Sequence, residues 1–186
     1  MLRWKNKLLL FGGFYDTIAE TKYFNDLYIL DLDSLKWTKV EKTAVGQVPK
    51  PRSGFIMTLF ENTLILYGGY SKEKVTKYGE AKGVIHTDLW SINLNNAPNL
   101  TWERLKRSGI PPTPRSGMSA ILDKRRLLVF GGVFDEEDET KMNSIFYNDL
   151  YALYMDSKRW FSLKLHIKGE KKKRVKKIKG NSQCAK

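Results

Sequence analysis

A short apolar run that ends in two glycines occurs three times in this chain. The runs are residues 8–13, 64–69 and 127–132. Each is followed by an Asp-Leu-aromatic segment and then by a tryptophan, and the segments begin at Asp26, Asp88 and Asp149, which lie 62 and 61 residues apart. Self-similarity at a steady period indicates a row of like supersecondary units, so it constrains the architecture before any single residue is considered.

Each unit is predicted to be a blade of four short antiparallel strands. In the second unit we expect strands at 54–60, 63–67 and 87–93 and a fourth around Trp102, because each run is short, rich in β-branched and aromatic residues, and bounded by Gly, Pro, Asn or Asp. No stretch has a sustained helical period. The predicted fold is therefore all-β, with blades at about 1–40, 51–105 and 114–165.

The double glycine after strand two and the tryptophan in strand four resemble the kelch repeat over residues 1 to about 165. Finer segments, among them 51–55, 68–72 and 147–151, are similar to the kelch domain-containing protein 4 group of that family. The resemblance implies β-propeller blades of a multi-blade intracellular protein with no established enzymatic activity.

Three blades are too few for a closed ring, since propellers have about four to eight. Aligning the glycine pairs places Met1 opposite Met57, so the first blade is predicted to be incomplete in its first strand. We expect an open arc, or a fragment of a larger propeller, with exposed apolar blade faces. Missing blades or another chain would complete it.

The glycine pairs and the tryptophans are predicted to be structural. Glycine suits a strand end where another backbone comes close or φ is positive, and tryptophan offers a large apolar face, expected to cover the next blade. Strands two and three are expected to be buried on both sides. The residues with this role are Gly12, Gly13, Trp37, Gly68, Gly69, Trp102, Gly131, Gly132 and Trp160.

Polar residues recur as well, namely the three aspartates and the pair Arg52 and Arg115. A polar residue that recurs in a repeat usually satisfies buried backbone groups or pairs with another repeated residue, and an Arg–Asp link is one such arrangement. The alternative for the two arginines is partner binding, because strand one lines the central channel of a propeller.

Long connections are predicted to crowd one face of the blades. The strand two-to-three connections, at about 14–24, 70–86 and 133–146, exceed the usual hairpin length, and they leave the same face as the inter-blade segments. Loops on a rigid scaffold often carry recognition. The hypothesis is that this face docks a protein partner, and the alternative is that the loops are variable and have no single ligand. The aromatic candidates are Tyr15, Tyr70, Tyr78 and Phe134.

Most of the net charge of +13 is predicted to belong to a disordered C-terminal tail, residues 166–186. From Lys164 onward there are ten Lys and Arg residues and one Glu, which leaves the blades only weakly basic. Such a run is usually a solvated tail, but it also fits a nuclear import signal or a contact with nucleic acid or an acidic protein. The residues of the possible signal are Lys171, Lys172, Lys173, Arg174, Lys176 and Lys177.

Catalysis and cofactors are not predicted. The two histidines, His86 and His166, are scattered, and neither a metal-ligand spacing nor a phosphate-binding glycine loop is present. The lone Cys184 and the lack of a secretory signal or a membrane-length apolar run favour an intracellular protein of the cytoplasm or nucleus. The functions left open are a protein-interaction scaffold, a nuclear or ribonucleoprotein factor, and a substrate-presenting adaptor of a ubiquitin ligase.

Overall fold

The computed structural model describes residues 1–18, 20–41, 47–74, 81–137 and 142–164. Within these residues the chain is built from β-strands in three larger sheets and two separate hairpins. One short 3₁₀ turn, Leu94–Asn96, interrupts the strands in the part of the chain described. The prediction of an all-β fold of antiparallel blades is therefore confirmed.

The first blade is a four-stranded antiparallel sheet in simple sequential order. Its first strand is short and pairs with the second through Leu2, Arg3 and Trp4. A β-bulge at the glycine pair, between Phe11 and Gly13, lets the second and third strands continue beyond the body of the sheet. The strands are β1 (Leu2–Trp4), β2 (Lys7–Asp16), β3 (Thr21–Asp31) and β4 (Trp37–Lys39).

The second blade repeats this order but is interrupted by a hairpin after its glycine pair. The two-residue connection Glu61–Asn62 joins its first two strands, with Glu61 at a φ of 56°. The blade strands are β5 (Ile56–Phe60), β6 (Thr63–Tyr67), β9 (Leu89–Asn93) and β10 (Glu103–Leu105), and the hairpin strands are β7 (Tyr70–Lys74) and β8 (Ala81–Ile85).

The third blade has the same plan with one addition. The inter-blade segment before it contributes a two-residue strand, which pairs in parallel with the last strand of the blade. The blade strands are β12 (Ser119–Asp123), β13 (Arg126–Phe130), β16 (Leu150–Tyr154) and β17 (Arg159–Leu163); the added strand is β11 (Ser108–Gly109), and the hairpin strands are β14 (Val133–Glu137) and β15 (Met142–Phe146).

The strand two-to-three connections are hairpins over much of their described length, so their prediction as long loops was wrong. We call them arm 1 (13–24, the far halves of β2 and β3), arm 2 (β7 and β8) and arm 3 (β14 and β15). The sequences of arms 2 and 3 are rich in charged residues and lack the alternating apolar pattern of a half-buried strand. Beyond the glycine pair, the two strands of each arm are held together by backbone hydrogen bonds and are not packed in either apolar core between the blades.

Two apolar cores lie between the blades. The core between blades 1 and 2 is lined by Leu9 and Phe11 on one side and by Leu64, Leu66 and Trp90 on the other. The core between blades 2 and 3 is formed by Ile56, Ile65, Tyr67, Leu89, Leu127, Val129, Leu153, Met155 and Trp160. Alternate residues of one strand therefore serve different cores, as the pleat of a β-strand requires.

The strand-four tryptophan packs on the preceding blade, which reverses the predicted direction. Trp160 of blade 3 lies 4.8 Å, between ring centroids, from Tyr67 of blade 2. Trp102 of blade 2 lies 5.1 Å from Phe11 of blade 1. Trp37 occupies the same position in blade 1 and is 48% exposed. The sequence shows that a tryptophan recurs, but its direction depends on which side of the sheet each neighbour occupies.

Burial on both sides of strands two and three holds for the middle blade only. In blade 2, Leu64, Ile65, Leu66 and Tyr67 are all buried. In blade 1, Leu9 is buried while its neighbour Leu10 is exposed, because blade 2 covers only one side of that sheet. The described row of blades thus ends in two uncovered faces.

Candidate partner-binding face

Arg52 fixes the base of the arms in the second blade. Its guanidinium is fully buried, and its Nη1 and Nη2 atoms donate to the two carboxylate oxygens of Asp88 over 2.6 and 3.1 Å. Nη1 also donates to the carbonyl of Gly68 over 3.0 Å, and Nε donates to the carbonyl of Lys50 over 2.9 Å. One side chain therefore connects the inter-blade segment, the glycine bend and the start of β9.

The electrostatics of this pair follow from its hydrogen bonds. Burial by itself would raise the pKa of Asp88, but the hydrogen bonds from Arg52 and from the Trp90 indole, together with the Arg52 charge, hold that pKa below its usual range. A bidentate, charge-assisted contact of this kind is among the stronger hydrogen bonds in proteins. The carboxylate therefore remains ionised beside the buried guanidinium.

Arg115 repeats the arrangement in the third blade with a different neighbour. It is 2% exposed and forms a bidentate ion pair with Asp149, whose own side chain is 37% exposed. Its guanidinium carbon lies 3.4 Å from the ring centroid of Tyr147, which is the distance of a close cation–π stack. An Arg–Asp link was one of the two predicted arrangements, and it is present in both blades.

The same segments tie one blade to the next through the backbone. The amide of Gly13 donates to the carbonyl of Arg52 over 2.9 Å, and the amide of Arg52 donates to the carbonyl of Phe24 over 3.0 Å. Ser53 and Tyr70 exchange two backbone hydrogen bonds of 2.8 Å. Arms 1 and 2 are therefore anchored to the same inter-blade segment, and this segment lies on the arm side of the blades, as predicted.

His86 is buried between arm 2 and the body of blade 2. Sequence reasoning placed it in a long loop, but it directly follows β8, and its Nε2 atom lies 2.9 Å from the hydroxyl of Ser71. Burial, reinforced by the nearby Arg52 charge, lowers the pKa of His86 to about 4. The imidazole is thus neutral at physiological pH, and Tyr147 holds the equivalent position in blade 3.

An aromatic ladder runs along arms 1 and 2. The rings of Phe14 and Tyr23 are stacked at 5.7 Å, and Tyr23 meets Tyr70 edge to face at 6.2 Å. Phe14 and the neighbouring Tyr15 are 57% and 56% exposed. Sequence reasoning selected Tyr15 and Tyr70 but missed Phe14 and Tyr23, which cross-strand pairing would have placed together had arm 1 been predicted as a hairpin.

The remaining predicted partner-binding residues have different surroundings. Phe134 is half-buried on arm 3, where it pairs with Ile145. Arg52 and Arg115 are buried in ion pairs, which supports the structural interpretation of these two residues, and their partner binding stays a prediction. Tyr78 lies outside the described residues. So do the residues of the possible import signal: Lys171, Lys172, Lys173, Arg174, Lys176 and Lys177.

A basic groove adjoins the base of arm 2. Two neighbouring cavities of about 460 and 530 Å³ share Thr87, Asp88 and Arg104 as lining residues. Lys106 and Arg107 extend the lining, and Arg107 donates to the hydroxyl of Thr87 over 3.1 Å. Since Asp88 is already neutralised by Arg52, the groove presents positive charge to solvent.

The part of the chain that the structure describes holds neither a cluster of metal-ligating side chains nor a membrane-spanning helix. Within it, no group of three or more His, Cys, Asp or Glu side chains is placed to hold a metal ion. The same residues contain no helix of the length and apolarity needed to cross a bilayer.

Comparison with known proteins agrees with the repeated blades. The KLHDC2/KLHL20/DRC7 Kelch-repeats domain model matches residues 1–179. The chain belongs to the kelch-repeat family. This match confirms the kelch resemblance, and the narrower likeness to the kelch domain-containing protein 4 group stays a prediction. Kelch repeats generally form non-enzymatic scaffolds for protein interactions.

Several larger proteins contain a segment similar to this kelch chain. Host cell factor homolog hcf-1 of Caenorhabditis elegans is 29% identical over 182 residues, which cover 88% of the chain and 22% of that protein. Human host cell factor 1 is 30% identical over 172 residues, covering 83% and 8%. Acyl-CoA-binding domain-containing protein 4 of Arabidopsis thaliana is 26% identical over 164 residues, covering 84% and 21%. The kelch chain thus spans about a fifth or less of these relatives.

The fold has a counterpart among solved structures. The structure of YjhT superposes with a TM-score of 0.52 at 18% sequence identity, covering 74% of the kelch chain and 44% of the YjhT chain. At this identity the likeness concerns the fold alone.

Proposed function

We propose that this kelch chain is a non-catalytic, intracellular protein-interaction module that binds its partner through the arm face. The observation that carries the proposal is the aromatic ladder of arms 1 and 2, which leaves Phe14 and Tyr15 more than half exposed on a rigid hairpin. Exposed aromatics of this kind are the usual anchors of protein interfaces.

The base of the arms supports this function because it limits the entropy lost on binding. The backbone of Arg52 accepts from Gly13 and donates to Phe24, which holds the root of arm 1, and the Ser53–Tyr70 hydrogen bonds fix the first residue of arm 2. Side chains presented in one orientation lose less conformational freedom when a partner binds, so more of the contact energy appears as affinity. The partner is expected to offer an apolar pocket to Phe14 and its cross-strand neighbour Tyr23, while Tyr15 provides a second contact on the opposite face of the hairpin.

Charge divides the arm face into two regions. Arm 2 carries the exposed Lys72 and Lys82, and the basic groove lies at its base. Arm 3 carries the exposed Asp135 and Glu136. A partner of mixed charge, with its acidic part over arm 2, would be favoured in orientation and in association rate.

The aromatic anchors can be tested with the double variant Phe14→Ala and Tyr15→Ala in the full chain. Quantitative affinity capture followed by titration of the captured partner should show at least a tenfold loss of affinity, consistent with one hot spot worth about 2 kcal/mol. Leu35→Ala is the matched control, because Leu35 is 70% exposed in the turn between β3 and β4, away from the arms. An unchanged affinity in the double variant, with the fold retained by circular dichroism, would refute the arm-face proposal.

Two alternative functions predict different binding results from those of the arm-face proposal. A nuclear or ribonucleoprotein role would place the affinity in the Lys-rich tail, so binding would fall steeply with salt and disappear when residues 171–179 are deleted. A ubiquitin-ligase adaptor role would require a second, ligase-associated partner that is captured together with the first. Nucleus and cytoplasm are both compatible with the proposal.

A further inference from the structure

The outer face of blade 1 is apolar and carries an exposed tryptophan. Leu9 and Phe11 point into the core with blade 2, so Leu8 and Leu10 lie on the opposite side of β2. Direct cross-strand pairing places other apolar side chains on that side. Tyr28 lies opposite Leu10, and Leu30 lies opposite Leu8. On its other edge, Leu30 lies opposite Trp37. We call the set Leu8, Leu10, Tyr28, Leu30 and Trp37 the tryptophan face.

The outer face of blade 3 is apolar and concave. A cavity of about 250 Å³ there is lined by Ser119 and Ala120 and by four larger apolar side chains. Among these four, Ile121 and Phe130 are 68% and 44% exposed. We call Ile121, Leu128, Phe130 and Leu150 the socket face.

These two faces correspond to the two sides of a contact that the chain already makes. Between blades 2 and 3, the ring of Trp160 is 1% exposed and lies 4.8 Å from Tyr67. In the repeat, Trp37 takes the position of Trp160, and Phe130 takes that of Tyr67. Leu128 and Leu150 likewise replace Ile65 and Leu89, two other members of the same core. A tryptophan face therefore has the composition and the direction needed to cover a socket face.

A tryptophan face and the socket face of the same arc point away from each other, at opposite ends of the row. Neither face is covered by the described residues, and the repeat equivalence makes a kelch blade with the matching surface the occupant that fits each one. A second copy of the chain supplies both matching surfaces at once. In the superposition on YjhT, 74% of the kelch chain corresponds to 44% of the YjhT chain, close to half of a propeller-like fold.

We propose that two copies of this chain associate head to tail, with Trp37 of each copy in the socket face of the other. The product is a two-fold ring of six blades, a size within the usual range for propellers. Both tryptophan faces and both socket faces become buried, and the ring has no exposed blade face left to extend. This proposal is independent of the arm-face function, since the arms take no part in the contact.

The direct test is the mass of the full chain in solution. Multi-angle light scattering at micromolar concentration should give about twice the 21.6 kDa of one copy. Trp37→Asp and Phe130→Asp should each give a monomer, with at least a hundredfold weaker self-association. Phe146→Asp is the matched control, because Phe146 is 80% exposed on arm 3 and should leave the dimer intact.

Mixing the two variants tests the direction of the contact. A copy with Trp37→Asp keeps its socket face, and a copy with Phe130→Asp keeps its tryptophan face, so an equimolar mixture should form a dimer through one intact contact. A structural role of either residue within its own blade would not produce this rescue. A monomeric wild-type chain, a dimer unaffected by both variants, or assemblies that grow beyond two copies would each overturn the proposal.

Discussion

Removing the charge of Asp88 should destabilise the protein more than the same change at Asp149. Both aspartates pair with a buried arginine at equivalent positions, so the comparison holds the chemistry constant. Asp88→Asn leaves the fully buried Arg52 guanidinium without a counter-charge. Breaking a buried ion pair from one side typically costs about 3–5 kcal/mol, and we expect about 3 kcal/mol here because two backbone carbonyls remain bound to Arg52.

The cost in blade 3 is smaller for two structural reasons. The Asp149 side chain is 37% exposed, so part of its interaction with Arg115 is screened by solvent. The Tyr147 ring stacked on Arg115 continues to stabilise the cation after the carboxylate is gone. We expect Asp149→Asn to cost about 1 kcal/mol, which leaves a difference of about 2 kcal/mol between the two variants.

Urea unfolding at neutral pH, followed by tryptophan fluorescence, measures the two free energies. All variants are measured in the Trp37→Asp background, so that self-association does not contribute to the measured free energies of unfolding. Asp156→Asn is a control for a solvent-exposed pair, since Asp156 and its partner Arg125 are 57% and 58% exposed, and it should cost the least of the three variants. An Asp149→Asn variant as unstable as Asp88→Asn would refute the argument from burial.

Two further predictions concern residues near this pair. The pKa of His86 is about 4 in the fold, below its unfolded value of about 6.5. The free energy of unfolding should therefore be highest above about pH 6.5 and fall by about 1.4 kcal/mol per pH unit toward pH 4, because the unfolded state binds the proton first. Thermal melts of His86→Gln should lose this pH dependence, and an unchanged slope would contradict the prediction. Gly69→Ala should destabilise more than Gly13→Ala by about 1–3 kcal/mol in the same urea assay. Both glycines have φ near 105°. An added Cβ at Gly69 would lie 2.8 Å from the Ser53 carbonyl oxygen, whereas at Gly13 it would meet nothing within 4 Å. Equal losses of stability would show that backbone strain alone determines the cost.

Local patterns in the sequence predicted the blades well. Strand β6 was predicted at its observed bounds, and the tight turn at Glu61–Asn62 was expected, because apolar alternation and turn residues act over a few positions. The recurrence of Arg52 and Asp88 suggested a link, but the sequence left partner binding open for the arginine. Pairing across 36 residues is visible only when the inter-blade segment and β9 are placed side by side.

The arms and the environment of His86 could not be predicted from local sequence patterns. Arm 2 is polar and pairs through its backbone, so no apolar period marks it as a hairpin. His86 has no unusual sequence neighbours, and its low pKa arises from burial beside Arg52, which only the packed structure creates. Phe14 and Tyr23 belong to the arm face for the same reason, because the ladder depends on the pairing of arm 1 and its approach to arm 2.

The sequence by itself determined that the chain is a row of kelch blades, because repeated glycine pairs, apolar runs and tryptophans are properties of local chemistry. Only the tertiary structure decided which side of each blade meets which neighbour. A β-strand directs alternate side chains to opposite faces, and nothing in the alternation says which face belongs to the preceding blade. That choice places Trp102 and Trp160 in cores and leaves Trp37 exposed at the end of the described row.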